Sequence, residues 1–328
     1  MYQLVKYLLD LYRLVQIKNN KMNKSILITG ANSGLGKDTA RQLGLIKETE
    51  KIYLACRNET KAKAAKADLE KTTGRSIFEI IIMDVSNPDS VRLAVAKLKE
   101  PIDALIMNAG GMGGNSPMDV TSDGVTSLFA ANLLGHVVLM DQLLKEKKLN
   151  KVALYAGSEG ARGVEDMGMN RPALKTSSED EFAKVIDGTF FDEQTDPMEA
   201  YGYIKYMAAL WMSSEARKNP NLRLITMSPG FTSGTAVMND LPFAKRLMFK
   251  YIMLPIVAPL KGIVHKLEKG AKRFVDGISD DSFKSGIFYA SKPKRLTGQV
   301  IDQSTIFPDL NNFSYQDNAN VAIHRFIK

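Results

Sequence analysis

From residue 25 to about residue 227 the sequence alternates short apolar, β-branched runs with stretches of helical spacing, and this alternation constrains the fold more than any other feature. Residues 25–29 (SILIT) form the first run, followed by helical spacing over 35–45. The pattern returns at 52–56 with a helix to about 70, at 77–83 with a helix over 88–98, and at 104–107 with a long helix over about 124–147. It closes with strands at 152–156 and 222–227 around a helix over about 198–218. Strands joined by right-handed helical crossovers pair in parallel and are covered on both faces. The chain is therefore predicted to be α/β, a doubly wound parallel sheet in one domain over residues 23–328, preceded by a separate N-terminal segment, 1–22.

Composition excludes several classes. With 45% hydrophobic and 24% charged residues among 328, the chain can bury a core and is neither disordered nor fibrous. The single cysteine, Cys56, rules out an intramolecular disulfide framework and any Cys-rich metal centre, and points to a reducing, cytoplasmic compartment. His136, His265 and His324 lie far apart, so no metal site is expected and each reads as a packed or solvated side chain. Forty-four basic against 36 acidic residues give a net charge of +8, which favours anionic partners. The excess is diffuse: Lys61, Lys63, Lys66 and Lys71 read as a solvated helix face, and no nucleic-acid motif accompanies them, so no nucleic-acid partner is expected.

Residues 1–21 place Gln3, Lys6, Asp10 and Arg13 three or four apart among Leu, Val, Tyr and Ile, one polar stripe on an apolar helix. Charges interrupt it too often for a transmembrane span or a cleaved signal. It packs on the body or a partner subunit, rests on a membrane surface, or is untranslated if synthesis starts at Met22.

Directly after the first strand comes Thr29-Gly30-Ala31-Asn32-Ser33-Gly34-Leu35-Gly36, opening into the helix that carries Lys37. Glycines permit positive φ and close backbone approach, and the helix N-terminus favours a pyrophosphate, so this turn reads as a dinucleotide site; the bland account is a tight turn without ligand. In folds that use NAD an acid about 20 residues on binds the ribose 2′-hydroxyl. That distance lands on Cys56, followed by Arg57, whose guanidinium suits a 2′-phosphate. NADP(H) is therefore expected over NAD(H), against a merely solvated Arg57. Asp84, ending the third strand, is placed to accept from an adenine amino group or, alternatively, to cap the next helix with Ser86.

In order along the chain stand TGANSGLG at 29–36, Asp84-Val85, Asn108-Ala109-Gly110, Asn132, Ser158, Tyr201 with Lys205, and Pro229-Gly230. This sequence of motifs resembles the short-chain dehydrogenase/reductase family over about residues 23–240. The segments ANSGLGKDTA, ACRN and DGVTSLFAANLLGH resemble its retinol dehydrogenase and protochlorophyllide reductase branch, and KSGIFYA at 284–290 resembles the C-terminal part of the latter. The resemblance implies a Rossmann-like fold and hydride transfer between NADP(H) and a carbonyl or alcohol.

It implies that Tyr201 is the acid/base, Ser158 orients the substrate oxygen, and Lys205 holds the nicotinamide ribose. Asn132 would fix a helix irregularity and a water that returns the proton. Tyr-x-x-x-Lys also occurs at Tyr2 and Lys6, but only Tyr201 follows the fifth strand and a serine. A unit charge about 4 Å from a phenol at effective permittivity about 20 contributes about 4 kcal/mol, which is expected to bring tyrosinate toward neutrality. The nicotinamide-binding threonine is Thr232 or Thr235. Forty-two residues separate Ser158 from Tyr201, and that insertion, with Met167, Met169, Phe182, Phe190 and Phe191, either shapes the substrate pocket or is a surface excursion. Residues 243–260 (FAKRLMFKYIMLPIVAPL) follow the sixth strand, where the family has its substrate lid, and suit an apolar small molecule. Family members often form homo-oligomers through the tyrosine helix. A non-catalytic NADPH sensor and a membrane-surface scaffold are the alternatives; protochlorophyllide photoreduction and an epimerase are disfavoured.

Overall fold

A computed structural model describes residues 23–165, 168–233 and 264–327. Six of its strands are those the alternation anticipates: β1 (Ser25–Thr29), β2 (Lys51–Cys56), β3 (Phe78–Ile82), β4 (Ile102–Met107), β5 (Leu149–Ala156) and β6 (Arg223–Met227). Two more come after them, β7 (Phe288–Ser291) and β8 (Val300–Asp302), and the sheet runs β3-β2-β1-β4-β5-β6-β7-β8. All pairings are parallel except the last, so the predicted parallel sheet gains one antiparallel edge strand.

The helices are α1 (Gly34–Gly44), α2 (Glu59–Thr73), α3 (Pro88–Ala96), α4 (residues 127–145), α5 (Glu179–Asp187), α6 (Pro197–Lys218), α7 (Leu267–Ser279) and α8 (Phe313–His324). Side chains alternate along each strand and so divide the core in two. Ile26, Ile28, Ile52, Leu54, Ala104 and Ile106 pack with α1, α2 and α7. Leu27, Tyr53, Leu105, Met107, Ala153 and Tyr155 pack with α3, α4, α5, α6 and α8. All of β4 is buried, as a central strand covered on both faces requires.

Two helices carry side chains into the crevice at the carboxyl ends of the strands. Helix α6 begins where Asp196 accepts the N–H of Met198 at 2.8 Å and Pro197 occupies the first turn, so its start is set by capping chemistry. Helix α4 is interrupted by a π-turn at Ala130–Leu134, which loosens the regular backbone ladder around Asn132. Among the described residues α4 alone is long and apolar enough to cross a membrane, yet 72% of its most apolar window is buried inside the protein; it is a central core helix.

The insertion between Ser158 and Tyr201 folds as α5 and flanking loops. Phe182 is fully buried in the core, and Phe190 (tilted) and Phe191 (edge-on) pack against Tyr203, each with ring centroids within 5.5 Å of it. Tyr203 lies two residues from Tyr201 and hence on nearly the opposite side of α6, so these phenylalanines build the back of the helix rather than a pocket wall. The N-terminal segment 1–22, Met167, Thr235 and the segment 243–260 lie outside the described residues.

Candidate active site

The carboxyl ends of β1, β4, β5 and β6 lie side by side in the sheet, and the glycine-rich turn, Asn108–Gly110, Ser158 and Pro229-Gly230 follow them directly, with Arg57 and Asp84 after β2 and β3. At the β1 end Gly30 (φ 67°) and Gly34 (φ 54°) adopt left-handed backbone, open to glycine at little cost. A Cβ at Gly36 would lie 2.5 Å from both Asn108 Nδ2 and Gly30 O, so only glycine lets α1 approach the turn this closely. Asn108 holds the turn from β4, its Nδ2 donating to Thr29 O at 2.9 Å, while the N–H groups of Asn108 and Ala109 both donate to Thr29 Oγ1 at 2.9 Å. Gly110 faces Asn132, whose Oδ1 would be 2.6 Å from a Cβ there.

Whether a dinucleotide phosphate fits can be judged from this end. No side chain caps α1: Ser33 is extended at the N-cap without accepting a first-turn N–H, and no acidic residue stands in that turn. Its first-turn N–H groups thus have neither a side-chain cap nor an acidic residue within their own turn, although Asp38 and Asp68 line the cavity beside them. The Cys56 thiol is buried, accepts the backbone N–H groups of Ala31 and Asn32, and is pushed up to about 11 by burial. The strand end that carries an acid in NAD-binding folds is thus taken by a sulfur committed to the turn, with the exposed Arg57 directly after it. Asp84 Oδ1 accepts the N–H (2.9 Å) and hydroxyl (2.6 Å) of Ser86, while α3 is capped by Asn87 instead. Val85 is half-buried, and its carbonyl oxygen would lie 1.9 Å from a Cβ at Gly135.

At the other end, Ser158 opens a short turn after β5, its Oγ accepting the N–H of Gly160 at 3.2 Å. Helix α6 rides against this turn; a Cβ at Gly202 would stand 3.0 Å from Gly160 O. The Ser158 hydroxyl reaches the phenol of the adjacent Tyr201. Gly157 fits because a Cβ would press within 2.9 Å of Phe288 and Thr226. Tyr201 is half-buried in the crevice and Lys205, one turn on, is 3% exposed, its Nζ 5.4 Å from the Tyr201 ring.

The electrostatics differ from the sequence expectation. Crowding by protein pushes Tyr201 up to about 12, against the lowering effect of Ser158, and burial draws Lys205 down to about 7. Desolvation of both groups outweighs the anticipated stabilisation of tyrosinate. Lys205 directs its hydrogen bonds elsewhere, to Tyr155 Oη at 3.1 Å and Ala156 O at 3.0 Å.

Asn132 lies in the π-turn. Its Nδ2 donates to Gly111 O (2.7 Å) and Leu128 O (2.8 Å), so the side chain ties the kink to the loop after β4. Its main-chain carbonyl oxygen accepts Tyr155 Oη–H and His136 Nδ1–H, both at 2.9 Å. Since that ring nitrogen faces a carbonyl, it carries the proton, and Nε2 accepts the Thr29 hydroxyl at 3.0 Å. Burial holds His136 neutral, its pKa down at about 4.

Behind Ser158, Glu159 is buried and accepts Ser228 Oγ (3.0 Å), Ser291 N–H (3.0 Å) and Ser291 Oγ (2.8 Å), with Arg162 paired at 2.6 Å and Arg273 at 3.6 Å. This cluster locks the loops after β5 and β6 to β7. After β6, Gly230 (φ 72°) leaves no room for a side chain beside Arg273 and His265. His265 Nε2 donates to Pro229 O at 2.7 Å, and Thr232 Oγ1 lies 3.1 to 3.2 Å from the Gly230 and Pro229 carbonyls. Sequence reasoning missed Tyr155, Glu159, Arg162 and Arg273 and read His136 only as a packed or solvated side chain; the i, i+3 pair Glu159 and Arg162 was the one available signal.

Residues 24–154 match the model of the short chain dehydrogenase family. Dehydrogenase/reductase SDR family member 12 of Bos taurus is 28% identical over 67% of this chain and 64% of its own length. Retinol dehydrogenase 13 of Homo sapiens is 38% identical over 38% of each. The chain thus spans less than two thirds of these relatives. The crystal structure of L-sorbose reductase from Gluconobacter frateurii, complexed with NADPH and L-sorbose, superposes with a TM-score of 0.59 over 84% of this chain and 97% of that one at 19% identity, a likeness of fold.

Proposed function

We propose that the chain, whose residues 24–154 match the short chain dehydrogenase family, is an oxidoreductase that reduces an apolar carbonyl compound with NADPH, Tyr201 acting as the proton donor. One observation carries the reading: Tyr201 and Lys205 share a face of α6, beside Ser158, at the crevice that the Gly30–Gly36 turn closes at its other end. The glycine-rich turn and the N-terminus of α1 would hold the pyrophosphate, Arg57 the 2′-phosphate, and Lys205 the nicotinamide ribose. The bound cofactor would supply the hydride.

The residues divide the remaining work. Ser158 hydrogen-bonds the substrate oxygen and orients it toward the phenol. Tyr201, held up at about 12, stays protonated across the physiological range, so it serves as a general acid for an oxygen that becomes basic as hydride arrives. Lys205 supplies positive charge beside it while protonated, that is, below about pH 7. NADP(H) rather than NAD(H) is favoured by Arg57 and by the commitment of Cys56 to the turn. Apolar substrates are favoured by the retinol dehydrogenase relatives and by the composition of residues 243–260.

The test is an absorbance assay at the NADPH band with apolar aldehydes, ketones and quinones, beside calorimetric titration of NADPH and NADH. Tyr201→Phe is expected to lose at least about 1000-fold in turnover while binding NADPH as before. Undiminished turnover in that variant overturns the assignment, and silence of the wild type across the panel leaves a nucleotide-binding sensor.

A further inference from the structure

Lys205 has three N–H bonds, and the protein engages it twice through β5, at Tyr155 Oη (3.1 Å) and Ala156 O (3.0 Å). The phenol that accepts from the ammonium donates its own O–H to the Asn132 carbonyl oxygen at 2.9 Å, in the π-turn of α4. Tyr155 is fully buried, packed edge-on against His136 (5.7 Å between centroids) and Trp211 (6.3 Å), and its ring also faces the Lys205 Nζ at 4.6 Å. Phenylalanine would fill the same space without needing a partner for a hydroxyl, so the hydroxyl's two hydrogen bonds are its distinguishing contribution.

We propose that Tyr155 is a positioning residue for Lys205: its hydroxyl is the fixed acceptor that holds the ammonium against β5 and joins it to Asn132. The inference rests on the reading of Tyr201 and Lys205 given above. A chain of three groups, Lys205 to Tyr155 to Asn132, spans α6, β5 and α4, so the ammonium is located by three elements rather than by its own flexible stem. It also leaves a third N–H bond of Lys205 for the crevice. The ionisable groups facing Lys205 are Tyr155 from β5, Tyr201 from α6 and His136 from α4, whose imidazole feels its charge. Since the hydroxyl accepts from the charged form, it favours the ammonium, and its loss must lower the lysine's titration midpoint further.

Tyr155→Phe in the full chain keeps the ring and removes only Oη. Lysine labelled with ¹³C at Cε reports protonation of Lys205 by NMR titration, the resonance being assigned by its disappearance in Lys205→Met. The midpoint is expected to fall by about half a unit or more in the Phe variant, with no cofactor or substrate present. With NADPH and an active carbonyl compound, kcat is expected to fall up to about 100-fold, KM to stay within about threefold, and the neutral limb of the kcat–pH profile to move to lower pH. An unmoved midpoint overturns the proposal whatever the enzyme catalyses; a moved midpoint in a protein without turnover faults the assigned function and leaves the link between the two residues standing. If the Phe variant does not fold, 3-fluorotyrosine at position 155, a weaker acceptor of unchanged shape, carries the same comparison, and an unmoved Lys205 midpoint there overturns it equally.

Discussion

At position 205 an ammonium is held 3% exposed, and burial draws its pKa from 10.5 to about 7. The unfolded lysine keeps its proton up to about 10.5 and the folded one releases it near 7, so stability rises with pH between those values and is lowest below them. Lys205→Met is therefore expected to abolish turnover and raise the melting temperature by a few degrees at pH 6, a gain that shrinks toward pH 9; scanning calorimetry at both pH values checks it. Glu159 has the reverse character. Glu159→Ala strands the buried guanidiniums of Arg162 and Arg273 and is expected to cost about 3 to 5 kcal/mol in urea unfolding, whereas Arg57→Ala, at an exposed site, should leave stability within about 0.5 kcal/mol. Legibility also divides at this scale. Gly30, Asn132, Ser158, Tyr201 and Lys205 could be singled out because their order along the chain resembles the family's motifs. Tyr155 could not, because on a fully buried strand an aromatic residue is what packing alone would select, and no local spacing tells that its hydroxyl has two partners.

Helix boundaries track local chemistry closely enough to be read. The predicted start near residue 198 falls one residue inside α6, whose Asp196-Pro197 opening is a capping signal legible in sequence. The π-turn in α4 carries no such mark: residues 127–145 have continuous helical periodicity, and the break shows only once Gly135 is seen pressed on the Val85 carbonyl and Asn132 tied to Gly111. Helix α8 was not anticipated at all, since the alternation of strand and helix had already ended. It docks through Asp317 on Ser214 (2.7 Å), Asn320 on Glu215 (2.6 Å) and His324 on Asp141 (3.1 Å). The Asp141 hydrogen bond raises the pKa of His324, so this contact stabilises fully below the unfolded histidine value near 6.5 and fades as pH rises through the higher folded one. His324→Gln is expected to lower the melting temperature slightly, for a contribution below about 1 kcal/mol, at pH 5.5 and not at pH 8.5.

Across the molecule, the alternation of apolar strands and helices up to β6 implied a parallel sheet covered on both faces, whereas the strand order is seen only in the structure. Beyond it, β7, β8 and α7 are assembled by long-range contacts, such as Arg223 reaching the Gly277 and Ile278 carbonyls, that have no local signature. Helix α6 is buried almost all round, including Ser213, Ser214 and Glu215, because α5 and α8 pack on the side that faces away from the sheet. Helix α8 packs on α6, so association through the outward side of α6, the route the resemblance implies, would require α8 to undock. Sedimentation velocity is expected to show no self-association through α6 in the full chain, and a concentration-dependent dimer on removal of residues 313–328; a full-chain dimer lost on mutating α6 would contradict this.

The Cys56 sulfur under the glycine-rich turn has a practical corollary. Because the chain has no other thiol and this one is shielded and held protonated, alkylation with iodoacetamide can proceed only when the turn lifts off β2. The labelling rate is thus a clock for breathing at that one place, and a dinucleotide seated on the turn should slow it in proportion to its occupancy.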